Sequence, residues 1–278
     1  MEHKEGRFRG HKNLNLYYQS WLPAKEPKAL LLVVHGLAEH SGRYSNLADY
    51  FVPKGYAIFG LDHRGHGKSE GLRGYVDKFS DYLDDLKSFL DIIRSEHGNT
   101  KTFLIGHSVG GTIATAYAVN HQRDLAGLIL SAPTLKVGSS VSRLDVVVAR
   151  ALSALLPKMG IAVIDASAIS RDKAVVGAYV NDPLVYRGKI RARLGSELVN
   201  MIQKNLPHQM PEINLPILIM HATADRLSNP EGSTMLYELV NSRDKTLKHY
   251  EGFYHEIFNE PEHRQVLAYM ETWLAARV

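Results

Sequence analysis

The chain has 278 residues, 45% hydrophobic and 22% charged, with a formal net charge of +4, which excludes disorder, collagen-like repeats and coiled coil. It contains no cysteine, so disulfide frameworks, thiolate metal sites and a cysteine nucleophile are absent. The charge is too small to argue for nucleic acid, which usually needs a patterned basic face with aromatic stacking or a known binding motif, and no apolar run approaches the ~20 residues of a membrane span. Met1 to Asn15 is polar and basic without an apolar core segment. No secretory signal is visible there, and a cytoplasmic protein is expected.

In chain order, Arg7 to Leu22 fits an antiparallel edge, and the wholly apolar run Ala29 to Val34, ended by His35-Gly36, predicts a buried parallel strand. Tyr56 to Gly60 predicts a second. Phe79 to His97 follows helical spacing through Tyr82, Leu83, Leu86, Phe89, Leu90 and Ile93. Lys101 to Gly106 reads as a strand and Thr112 to Asn120 as a helix. Leu125 to Ser131, Pro216 to His221 and Lys245 to Glu251 add strands, and Glu262 to Ala276 closes with an amphipathic helix. This alternation predicts an α/β fold with a doubly wound, mostly parallel sheet.

The stretch Leu135 to Ile213 breaks the rhythm. It holds helical patterning, with Val141, Leu144, Val148, Leu152 and Leu155 near one face of Val141 to Leu156. An insertion at the carboxyl edge of the sheet predicts a helical cap, dividing the chain into a core of 1–134 and 214–278 and a cap of 135–213. The cap carries eleven Lys and Arg against six acids, so the whole positive excess lies in it. Two readings follow: peripheral contact with an anionic or lipid surface, or a lid whose apolar face covers a tunnel while its charges are solvated.

Gly106-His107-Ser108-Val109-Gly110 lies between a predicted strand and a predicted helix, the context that G-x-S-x-G requires. A strand turning sharply into a helix exposes the serine at the tip, and the new helix points free N–H groups toward it. Ser108 is the predicted nucleophile, with the Val109 N–H as an oxyanion donor. A serine hydroxyl needs a histidine base and an orienting carboxylate, in the chain order acid then histidine, on loops after later strands. Asp225 follows Pro216 to His221, and His255 follows Lys245 to Glu251. His249 should lie within its strand and His221 at a strand end, which leaves His255 best placed. His35-Gly36-Leu37 matches the loop that supplies the second oxyanion N–H in α/β-hydrolases, assigned to Leu37. Asp62-His63-Arg64-Gly65-His66-Gly67-Lys68-Ser69 lacks the ligand spacing of a metal site or a phosphate loop and reads as a structural turn pinned by Asp62 and Arg64.

The peptides His35 to Tyr44, Asp62 to Ser69, Gly106 to Gly111, Ala224-Asp225-Arg226 and Tyr250 to His255, with Asn181 to Gly188 in the cap, together resemble the monoacylglycerol lipase family, over about residues 10 to 275. The resemblance implies the α/β-hydrolase fold and hydrolysis of a glycerol monoester of a fatty acid, a small lipid ester, with no cofactor and no metal. It places Glu39 and Arg43 near the glycerol end. Leu37 and Val109 stand where animal members carry alanine and methionine. Phe258, assigned with Glu39 and Arg43 to the substrate site, replaces a second active-site histidine, and Ser228 replaces a cysteine. A broader carboxylesterase or lysophospholipase uses the same triad, as does an aminopeptidase, for which the cap's acids are too sparse to hold an amine. A ligand receptor without catalysis is the alternative from another class, disfavoured by a complete triad.

Overall fold

A computed structural model describes residues 1–137 and 143–278; the side chains of residues 143–146 lie outside that description. Eight strands form one sheet: β1 (Glu2–Arg9), β2 (Asn15–Leu22), β3 (Ala29–Val34), β4 (Tyr56–Leu61), β5 (Thr102–His107), β6 (Gly127–Ser131), then β9 (Ile217–Ala222) and β10 (Lys245–Tyr250) beyond the cap. Their order is β1-β2-β4-β3-β5-β6-β9-β10. β1, β2 and β4 pair antiparallel and every other neighbour is parallel, as the alternation of elements predicts. The edge hairpin extends further than expected: β1 begins at Glu2, in a stretch too polar to read as a strand, because its residues face water and only Phe8 is buried.

Period-two alternation assigns each strand residue to one of two cores. Leu30, Leu32, Val34, Leu104, Leu128 and Leu130 meet α2 (Ser80–His97), α3 (Val109–His121) and α8 (Glu231–Leu239) on one face. Leu31, Val33, Phe103, Ile105 and Ile129 meet α1 (Ser45–Phe51) and α9 (His263–Ala275) on the other. The short helices α1 and α8 went unpredicted, since each offers only two turns of periodicity. The Asp62 turn is structural. Asp62 Oδ1 accepts the N–H and hydroxyl of Ser41, Oδ2 accepts the Lys68 N–H, and Arg64 is buried between Asp81 and Asp85.

The interposed segment contains α4 (Arg143–Leu155), α5 (Lys173–Asn181), α6 (Ala192–Asn200) and α7 (Leu206–Gln209), with a small antiparallel pair β7 (Gly160–Ala162) and β8 (Ile190–Arg191). Of the apolar stripe expected along this segment, Val141 and the Leu144 side chain lie outside the described residues. Val148 is 47% exposed and Leu155 79%, while Leu152 is half-buried, so much of the described stripe turns to solvent instead of covering the interior. Periodicity identifies an apolar face without saying what it meets.

Candidate active site

β5 turns into α3 at Ser108, whose φ of +54° and ψ of −122° are strained for any residue with a Cβ. The turn is tight because glycine flanks it. A Cβ on Gly110 would lie 2.0 Å from the Val34 carbonyl oxygen and 2.4 Å from that of His35, and one on Gly106 would lie 2.7 Å from the Ala114 Cβ. The Ser108 backbone is held by its N–H to Ser131 O (3.1 Å) and by its carbonyl, which accepts Thr134 N–H at 3.0 Å. Among the described residues, the Ser108 hydroxyl has its hydrogen bond with Thr134 Oγ1 (3.3 Å), which in turn bonds Ser228 Oγ at 2.7 Å. The structure therefore holds the serine in a rotamer turned toward Thr134, not toward a histidine.

The loop after β9 brings Asp225 to the same edge, and the loop after β10 brings His255. Asp225 Oδ1 accepts the N–H groups of Leu227 (2.8 Å) and Ser228 (2.9 Å), and Oδ2 lies 2.7 Å from His255 Nδ1. Burial alone would raise the Asp225 carboxyl, but the two histidines His255 and His221 and these backbone donors hold it well below its ordinary value. Burial opposes charge on His255, yet Asp225 outweighs it and raises the imidazole. This is the electrostatics of a base whose protonated form is stabilised. His107 packs against the His255 ring with centroids 4.7 Å apart and is pushed down to about 3 by burial and by that neighbour. His249 lies within β10, as expected, and His221 lies within β9.

The loop after β3 forms the opposite wall. Ala38 adopts φ +68°, and the turn is fixed from both sides. Gly36 N–H donates to Glu39 Oε1 at 2.6 Å, and Tyr186 N–H, from the cap, donates to Ala38 O at 2.8 Å. His40 Nε2 lies 2.9 Å from Asp182 Oδ2 in the same cap peptide, which explains why the Asn181 to Gly188 motif accompanies the core motifs. The backbone N–H groups of Leu37 and Val109 have no acceptor among the described residues, and both residues line one cavity with Ser108 and His255.

That cavity measures about 200 Å³. Leu37, Val109, Ile164, Ile169, Leu198 and Leu227 form its apolar part, while Glu39, Glu256, His107 and Tyr179 form a polar end. Behind the polar end Arg43 reaches Glu256 with two bonds, at 2.5 and 2.7 Å, and Glu39 at 3.0 Å, beneath the Tyr179 ring. Burial raises the Glu39 carboxyl with help from the Glu256 charge. Burial would raise Glu256 also, but Arg43 holds it below its ordinary value. Of the residues assigned to the substrate, Glu39 lines the cavity. Arg43 stands behind it, and Phe258 is buried beside a separate void of about 10 Å³ shared with Glu39, Tyr44 and His107. Glu256 and the cap residues Ile164, Ile169, Tyr179 and Leu198 were not anticipated. Adjacency to His255 was the one available signal for Glu256. Among the described residues, the grouping with metal-ligand spacing is His11, Asp81 and Asp84, away from this cavity; Lys12 Nζ sits 3.0 Å from both Asp81 oxygens, so a cation is already in place.

A family model described as serine aminopeptidase, S33 matches residues 25–262. A monoacylglycerol lipase of Mycolicibacterium smegmatis is 35% identical over 274 residues, covering 99% of this chain and 98% of its own length. A monoglyceride lipase of Mus musculus is 37% identical over 266 residues, covering 95% and 88%. The crystal structure of the Paleococcus ferrophilus monoacylglycerol lipase matches with a TM-score of 0.86 at 30% identity, covering 95% of this chain and 99% of that one. The agreement runs through core and cap alike, and the chain belongs to the monoacylglycerol lipase family of serine hydrolases with the α/β-hydrolase fold.

Proposed function

We propose that this protein hydrolyses monoacylglycerols to fatty acid and glycerol through an acyl-enzyme, with Ser108 as nucleophile, His255 as base and Asp225 as its orienting carboxylate. The observation that carries the reading is Asp225 bonded to His255 at 2.7 Å on one side of the cavity, opposite a strained serine at a helix N-terminus. On substrate binding Ser108 turns from Thr134 to His255, which takes its proton as Oγ attacks the ester carbonyl. The Leu37 and Val109 N–H groups receive the oxyanion, each such donor contributing about 3–4 kcal/mol to the transition state. His255 then protonates the leaving glycerol oxygen, and a water activated by the same imidazole releases the acid.

Residues 135–213 act as the lid. Ile164, Ile169 and Leu198 take the acyl chain, while Glu39, held by Arg43, faces the alcohol. Both acids at the polar end are paired to Arg43, so neither is free to hold a substrate amine, which argues against aminopeptidase activity. The second reading, an esterase for short to medium acyl chains, is supported by a cavity of about 200 Å³, below the ~300–1,000 Å³ usual for drug-sized ligands. Longer chains then require the lid to move. The exposed Val147, Val148, Leu155, Leu156, Met159, Ile161 and Val163, with the cap's basic excess, support peripheral contact with lipid aggregates. Among the described residues, no helix is long and apolar enough to cross a membrane.

Initial rates on monoacylglycerols, p-nitrophenyl esters, lysophospholipids and diacylglycerols, above and below the aggregation concentration, test the substrate class. Ser108→Ala abolishes turnover without unfolding; esterase activity retained by that variant refutes the triad. Sedimentation with vesicles should depend on anionic lipid and on salt, and indifference to both removes the surface contact.

A further inference from the structure

Asp225 carries a second histidine. Its Oδ2 lies 2.7 Å from His255 Nδ1 and 3.1 Å from His221 Nε2, while Oδ1 is taken by two backbone N–H groups. His221 is fully buried in β9, four residues before Asp225. Its other nitrogen, Nδ1, lies 2.6 Å from the hydroxyl of Ser233, itself buried in the first turn of α8. An ionised carboxylate only accepts, so the proton of His221 sits on Nε2 and points at Asp225. Nδ1 is then bare, and the Ser233 hydroxyl donates to it. Asp225 sets this tautomer, and the Ser233 hydroxyl anchors the ring from its other side.

We infer that His221 is a positioning residue for acyl transfer: held by Ser233, it fixes the Asp225 carboxylate so that Oδ2 stays aligned on His255 Nδ1. The carboxylate has four neighbours, two on each oxygen, and they lock its rotation about the Cβ–Cγ bond. Without the His221 N–H, Oδ2 keeps His255 alone, and three contacts in place of four hold the carboxylate against twisting. The same N–H spreads the Asp225 charge over two imidazoles, which tempers how strongly Asp225 favours a protonated His255 and keeps that histidine available as a base.

The inference rests on the proposed triad, and the test separates the two. The titratable groups around the pair are His107, Glu39 and Glu256 near His255, and His249, which faces His221 across the β9 and β10 register. His221→Leu, His221→Gln and Ser233→Ala are compared with wild type by thermal melting, by kcat and KM on a soluble p-nitrophenyl ester, by the pH profile of kcat/KM, and by fluorophosphonate labelling. His221→Leu should lower kcat by roughly 10- to 100-fold, the usual cost of about an ångström of misalignment, with KM little changed. Its acid limb should move to higher pH, because Asp225 then acts on His255 alone. His221→Gln, whose amide donates to Oδ2 and whose carbonyl accepts from Ser233, should restore both. Ser233→Ala leaves the imidazole in place and should give a smaller loss in the same direction, deciding the matter should the leucine variant fail to fold. Unchanged kcat and acid limb in His221→Leu and Ser233→Ala overturn the inference. So does an equal loss in the leucine and glutamine variants with the limb unmoved, which marks a packing role. Turnover surviving in Ser108→Ala refutes the triad itself, and the inference with it.

Discussion

A single methyl group added at Gly110 should disable the enzyme while leaving every polar side chain of the site untouched. The new Cβ would stand 2.0 Å from the Val34 carbonyl oxygen and 2.4 Å from that of His35, where ordinary contact needs about 3.4 Å or more, so β3 and α3 must separate by more than an ångström. Overpacking of this kind typically costs 1–3 kcal/mol and more when backbone has to move. At about 2–4 °C per kcal/mol for a chain of this size, the melting temperature should fall by roughly 5–10 °C. His35 is two residues from Leu37, so the same movement carries the proposed oxyanion donor, the Leu37 N–H, away from the carbonyl it would serve. Displacement by about an ångström corresponds to roughly a 100-fold loss of kcat. Gly177→Ala is the control: nothing lies within 4 Å of the added Cβ in α5, and helix propensity favours alanine by about 1 kcal/mol. The assay is ester turnover normalised to fluorophosphonate-titrated sites, alongside thermal melting. A Gly110→Ala enzyme that melts and turns over like wild type would refute the steric account of the turn at Ser108.

Arg43→Met leaves Glu39 and Glu256 buried without their cation, and urea unfolding should show a loss of about 3–5 kcal/mol; a change below 1 kcal/mol would mean that water reaches the pair. Thr134→Val removes the hydroxyl that holds Ser108 Oγ at 3.3 Å. With a hydrogen bond contributing about 1 kcal/mol, fluorophosphonate labelling should speed up by as much as about fivefold, whereas slower labelling would show that this hydroxyl assists the reaction. Burial holds His63 and His107 down at about 3 and His66 at about 4, against an ordinary histidine value near 6.5. The unfolded chain therefore binds more protons between these values, and stability is complete above about pH 6.5 and lost as pH falls toward 3–4. At pH 5 each group costs on the order of 2 kcal/mol, opposed in part by His255, whose raised value acts the other way. Equal denaturation midpoints at pH 7 and pH 5 would exclude this mechanism.

The sequence by itself determined what local backbone and periodicity encode. The apolar run Ala29 to Val34 became β3 to the residue, and glycines two places either side of Ser108 specified a turn that only that spacing permits. The order of serine, acid and histidine on successive strand ends, with the fixed hand of parallel crossovers, carried the three residues to one edge of the sheet. Tertiary structure alone decided who meets whom across long separations. Arg43 pairs with Glu256 from 213 residues away, and His221, set aside as a strand-end residue, is anchored by Ser233 of α8 while the loop after β9 turns Asp225 back onto its ring. The stripe of α4 was legible, but its direction was not, since an amphipathic helix satisfies the same pattern facing a core or a lipid surface. The polar β1 was hidden for the complementary reason. An edge strand with one buried side chain owes its pairing to backbone hydrogen bonds, and those leave no mark in the order of side chains.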